Sequence, residues 1–100
     1  MITDKQFEDA FTAAGGWFFL VSFETIYHWH GSKAGLIDEL YTKGFDSSKS
    51  GTTTRVSSAL RIIQNQRGKE ALTKIRNSSR INQMHPGARD TANELLKKYY

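Results

Sequence analysis

Apolar residues recur along most of the chain at helical spacing, and clusters of glycine and hydroxyl residues punctuate them. Thr3 and Gln6 have the spacing of a capping box, and Phe7, Ala10, Phe11 and Ala14 follow on one helical face until Gly15-Gly16. A short capped helix is expected there, since the Thr and Gln side chains can satisfy the free N–H groups of its first turn. Gly31 breaks the chain, Ser32 supplies a cap, and Leu36, Ile37, Leu40 and Tyr41 form the apolar stripe of a second firm helix that Gly44 ends. Val56, Ala59, Leu60 and Ile63 mark a further helix closing near Gly68, and Ala71, Leu72 and Ile75 mark the next. Pro86 suits the first turn of a last helix whose inner face is Ala88, Ala92, Leu95 and Tyr99.

Residues 17–30, "WFFLVSFETIYHWH", read two ways. As a helix, Phe19, Ser22, Phe23 and Ile26 share one side and Trp17, Val21, Glu24 and His28 the other, so apolar groups cover almost the whole circumference. As a strand, Trp17, Phe19, Val21, Phe23, Thr25, Tyr27 and Trp29 alternate and have high β preference. A strand needs a partner, and only "TTTRV" offers a weak one, so the helix is the preferred reading. The expected fold is therefore all-α, a small bundle of five or six short helices, with α+β as the alternative if 17–30 is a strand. The 100 residues, 38% of them hydrophobic, suit a single domain, 1–100, with a polar loop at 46–54, "DSSKSGTTT".

Charge changes the picture more than overall composition does. Residues 1–50 carry four Lys against seven acids, a net of −3, whereas residues 51–100 carry ten Lys or Arg against three acids, a net of +7. A division of this kind has two physical readings: the basic half meets a polyanion or an acidic partner, or the two halves attract each other. The absence of cysteine excludes disulfides, thiolate metal sites and cysteine nucleophiles, and fits a reducing cytoplasm. No apolar run approaches a membrane span and the acidic N-terminal stretch is unlike a signal peptide, so no membrane partner is expected.

Candidate chemistry falls in four places. On the helix from Gly68, Lys69, Thr73, Arg76, Arg80 and Gln83 keep one face if the helix runs unbroken through Ser78-Ser79, and Arg61 widens the basic surface. Arg61, Lys69, Arg76 and Arg80 are the expected nucleic-acid contacts, because cations on such a face grip a phosphate backbone, and they would equally meet an acidic protein surface. Ser50, Gly51, Thr52 and Arg55 form a second candidate, a phosphate site at a helix N-terminus where free N–H groups and the dipole favour an anion. The Lys-Ser/Thr ending of a nucleotide-binding P-loop is missing from it. Third, a helix would aim Glu24 and His28 one way and a strand His28 and His30, two ligands in either case where a catalytic zinc normally has three, so neither metal nor cofactor is expected. No nucleophile, base and orienting acid stand at a recognisable spacing, and the chain reads as non-enzymatic.

The fourth is "VSFETIYHWHGSKAGL". Val21-Ser22, Thr25-Ile26-Tyr27-His28, Gly31-Ser32-Lys33 and Leu36 resemble the recognition helix of TetR-type repressors and the start of the helix after it. The resemblance covers about a fifth of the chain and implies DNA contacts at Thr25, Tyr27, His28 and Lys33. Against that pattern, His30 stands where the family has a buried Phe, and only residues 17–20 separate Gly16 from Val21, too few for the preceding helix and its turn. The segment then reads as a buried aromatic core, a Gly-Ser turn and a capped helix. Most of the twelve aromatic residues fall between Phe7 and Trp29, more than one thin core covers, which points to a homodimer through this segment. The reading as a whole is a small binding protein whose basic second half engages nucleic acid. Its alternative is an inhibitor or adaptor of mobile-element or phage type that docks on an acidic surface or captures a phosphorylated ligand.

Overall fold

The computed structural model describes residues 1–100, and the chain is all-helical: α1 (Asp4–Ala14), α2 (Gly16–Tyr27), α3 (Lys33–Tyr41), α4 (Lys49–Gln64), α5 (Gly68–Arg76), α6 (Ser79–Met84) and α7 (Ala88–Tyr99). The expected capping box closes α1, with Gln6 N–H donating to Thr3 Oγ1 at 3.1 Å and Thr3 N–H to Gln6 Oε1 at 2.9 Å. Ser32 caps α3 through Gly35 N–H at 3.0 Å. Helix α1 packs along α4, α3 also lies on α4, and α5 packs along α7. Helix α2 touches α1, α4, α5 and α7, and this central position explains its sequence. A helix with neighbours on several sides needs apolar residues on several sides, and Phe18, Phe19, Leu20, Phe23 and Ile26 are all buried. The strand alternative for 17–30 is thereby corrected: its alternating residues from Trp17 to Tyr27 belong to a helix that ends before Trp29, because the fold offers packed helices and no strand to pair with.

Three further expectations are corrected. There are seven helices where five or six were expected, because the helix from Gly68 does not run on. It stops at Asn77, and Ser78 starts α6 by accepting from Ile81 N–H at 3.2 Å. The polar stretch 46–54 is only partly loop. Ser48 caps α4 by accepting from Gly51 N–H at 3.2 Å, and Thr53 and Thr54 donate back to the carbonyls of Lys49 and Ser50, so a hydroxyl-rich sequence is absorbed into a helix. Pro86 lies outside α7, which starts after Gly87 at φ +97°.

One cluster of 21 buried residues joins α1, α2, α3, α4, α5 and α7. Two hydroxyl residues are buried as well and both are bonded, Ser22 to the Phe18 carbonyl and Thr52 to Asp46, and no buried side-chain polar atom lacks a partner. A single residue, Gly15, turns the chain from α1 into α2 at φ +82°, and Gly16 lets the Ile81 side chain reach the backbone where a Cβ would collide with it. No helix is long and apolar enough to cross a membrane.

Candidate functional site

The ten cations of the second half divide into four that reach acids of the first and six that pair with no carboxylate, Arg89 and Lys97 together with Arg61, Lys69, Arg76 and Arg80. Arg55 pairs with Asp46 at 2.9 Å, Arg67 with Asp4 at 2.9 Å, Lys74 with Glu8 at 3.0 Å and Lys98 with Glu24 at 2.9 Å. Arg67 is the most connected: it also chelates Glu70, donates to the Thr3 carbonyl at 3.1 Å, and lies over the Phe7 ring at 4.4 Å. It thereby fastens the start of α1 to the α4–α5 turn. Its hydrogen bonds hold the Glu70 carboxyl below the ordinary glutamate value, and donating to Glu70 and Asp4 raises the guanidinium. Part of the charge asymmetry is therefore structural, the two halves of the chain attracting each other.

Arg61, Lys69, Arg76 and Arg80 make no ion pair with a carboxylate. Arg61, Lys69 and Arg80 are exposed and Arg76 is half-buried. The break at Asn77 bends the stripe on which they were expected, and Lys69 and Arg80 border different concavities. Lys69 shares a shallow depression with Phe7, Glu8, Glu70, Thr73 and Lys74, where the signs are mixed. Arg76 closes α5, and its carbonyl accepts from Arg89 Nε at 3.2 Å. Asn82 holds this corner together: its amide reaches the carbonyls of Ile75, Arg76 and Ser78, and its oxygen accepts from Arg89 N–H at 2.7 Å.

Of the residues expected at the phosphate site, all in the first turns of α4, Gly51, Thr52 and Arg55 gather around an anion that the chain itself supplies, and Ser50 does not. Asp46 Oδ1 accepts from Arg55 Nε at 2.9 Å and Asp46 Oδ2 from Thr52 Oγ1 at 3.2 Å, while Gly51 N–H is committed to Ser48. Arg55 also donates through Nη1 to the Ala14 carbonyl at 2.7 Å, where the missing Cβ of Gly15 leaves room for the guanidinium. Ser50 stays exposed on the helix surface.

The TetR-like residues lie partly under α7. Tyr27 packs against Tyr99 at a tilt of 48° with ring centres 4.6 Å apart, and His28 Nε2 is 2.7 Å from the Tyr99 hydroxyl. That hydroxyl donates to Glu24 Oε2 at 2.6 Å, which also accepts from Lys98 Nζ at 2.9 Å. The hydrogen bond from Tyr99, then that from Lys98, draws the Glu24 carboxyl below its ordinary value, and the same bond raises the Tyr99 phenol. Glu24, Tyr27 and His28 are thus engaged by the C-terminal helix while remaining partly exposed, and Lys33 is exposed at the start of α3. Trp29 has a local duty, covering Gly31 and Gly35 and donating to the Ser32 carbonyl at 2.9 Å.

The feature that sequence spacing did not reveal is a cleft of about 630 Å³ between the α1–α2 corner, Phe45, α4 and α6. Trp17 stacks on His85 along its wall, ring centres 3.8 Å apart and nearly parallel, with Phe18, Ile81 and Met84 as apolar neighbours. Arg80 supplies an unpaired cation and Arg55 one paired with Asp46, and no acidic residue is among the residues lining the cleft. Its residues come from five stretches of the sequence, and the one local signal was Gly15-Gly16. Nowhere do three metal-ligating side chains converge. Compared with known proteins, the chain matches no family model, no curated protein and no solved structure.

Proposed function

We propose that this is a small non-enzymatic binding protein that engages the phosphate backbone of nucleic acid through Arg61, Lys69, Arg76 and Arg80. The observation that supports it is the sorting of the cations. Arg55, Arg67, Lys74 and Lys98 are held by carboxylates of the first half, while these four pair with no carboxylate, Arg61, Lys69 and Arg80 being exposed and Arg76 half-buried with its Nε on Asn77 Oδ1. Unpaired cations raise the local concentration of a polyanion and release its counterions on contact, and Arg adds planar donors that match phosphate oxygens.

Binding of fluorescently labelled single-stranded and duplex DNA and RNA, followed by anisotropy at low salt, tests the reading. It predicts a rise in anisotropy that disappears as salt is added. No change with any of the four nucleic acids sinks it. Binding to an acidic polypeptide in their place supports the other reading, docking on an acidic protein surface.

A further inference from the structure

Resting on that reading, we infer that the cleft between the α1–α2 corner and α6 is a single-strand subsite, taking one unstacked nucleotide with its base against Trp17 and its phosphate against Arg80. The wall supplies an aromatic platform already held in orientation. His85 covers one side of the Trp17 indole at 3.8 Å, and 38% of Trp17 stays open. A fixed ring loses little freedom when a base stacks on it, and stacking of this kind is tolerant of base identity because every base has a π face.

Charge selects an anion. Arg80 makes no hydrogen bond to any protein group through its side chain, and Arg55, held by Asp46 and the Ala14 carbonyl through Nε and Nη1, keeps Nη2 uncommitted. No carboxylate lines the cleft to repel a phosphate. The volume of about 630 Å³ falls among sites that hold small organic ligands, roughly 300–1,000 Å³. A base within a duplex is already stacked and paired on both sides, so only a single strand or an extruded nucleotide presents a face to this wall. Met84, 64% exposed at the rim, extends the apolar surface along which a neighbouring base lies.

The test compares a mixed-sequence single strand with a duplex of equal length, binding being read by anisotropy and Trp emission in the wild type, Trp17→Phe, Trp17→Ala and Arg80→Ala. The subsite predicts tighter binding of the single strand and quenched emission in the wild type. The quench is lost in Trp17→Phe, which retains only Trp29. Single-strand affinity falls about ten-fold or more in Trp17→Ala, the loss of one base–aromatic stack, with duplex affinity unchanged. Arg80→Ala, at an exposed residue with no side-chain bond to break, weakens single-strand binding several-fold without unfolding the protein. Circular dichroism confirms that each variant is folded. Binding of both nucleic acids with no quench and no effect of Trp17→Ala overturns the subsite while leaving the backbone reading in place. Binding of neither overturns both.

Discussion

Replacing Arg55 by Met removes the guanidinium that ties α4 to the α1–α2 corner while keeping a long side chain with good helix propensity. Two hydrogen bonds go, from Nε to Asp46 at 2.9 Å and from Nη1 to the Ala14 carbonyl at 2.7 Å. Bonds to charged groups contribute about 1.5–3 kcal/mol each, and the cost rises when the partner left behind is shielded from water. The Asp46 side chain is only 15% exposed and would keep only the Thr52 hydroxyl at 3.2 Å; that of Arg55 is 33% exposed, so solvent screening brings the figure toward the lower end. The expected loss is about 3 kcal/mol. For a domain of this size, at about 4–8 °C per kcal/mol, Tm falls by roughly 12–24 °C. Urea unfolding followed by circular dichroism gives the free energy, and Asp46→Asn alone and combined with Arg55→Met completes a double-mutant cycle. The pair should show a coupling of about 1–2 kcal/mol, the double variant being less damaged than the sum of the singles. If Arg55→Met lies within about 0.5 kcal/mol of the wild type, or the two losses simply add, Arg55 does not organise this corner and the reasoning fails.

Other consequences are more local. Gly15→Ala places a Cβ at φ +82° against the Arg55 guanidinium, whereas Gly44→Ala meets open space at φ +81°. The first should therefore cost clearly more than the backbone penalty of about 1–2 kcal/mol expected for the second, measured by the same urea unfolding. Glu24 has its pKa lowered in the folded protein, so the stability it contributes is fully present above the ordinary glutamate value of about 4.3 and is lost as pH falls through the lowered value. Glu24→Gln should lower Tm near neutral pH and flatten its decline in acid; an unchanged acid limb contradicts the Glu24–Tyr99–Lys98 cluster. Tyr99 works in the opposite direction. Its raised pKa means that its contribution holds below about 10 and fades as pH rises beyond the raised value, a loss that Tyr99→Phe should abolish in an alkaline Tm series.

What could be read from the sequence was what sits within one turn of helix. The Thr3–Gln6 box, the Ser32 cap and the stripes Phe7-Ala10-Phe11-Ala14 and Leu36-Ile37-Leu40 depend on neighbours three or four residues away, and the structure has them all. Trp17 to Trp29 resisted because its pattern reflects burial against several helices at once, and burial of that kind erases the periodicity that separates helix from strand. The α4 start reads as loop because Thr and Ser compete for backbone bonds, and only the folded chain shows Thr53 and Thr54 bonding within the helix. Asn77 ended α5 with no proline or glycine to announce it. The ion pairs and the cleft were beyond local reading altogether: Arg67 meets Asp4 across 63 positions, and Arg80 meets the Trp17 wall only because α6 folds back over the Gly15-Gly16 corner.

The sorting of cations is tested most directly by the salt dependence of single-strand binding. Log affinity against log salt is measured for the wild type, for a variant with Arg61, Lys69, Arg76 and Arg80 all changed to Ala, and for Lys74→Ala, which removes a cation already paired with Glu8. Four phosphate contacts predict a slope of about −3 for the wild type, from about 0.7 per contact on a single strand. The quadruple variant should lose most of both slope and affinity, and Lys74→Ala should keep both. A wild-type affinity indifferent to salt, or a quadruple variant that binds with the wild-type slope, would contradict the assignment of these four residues.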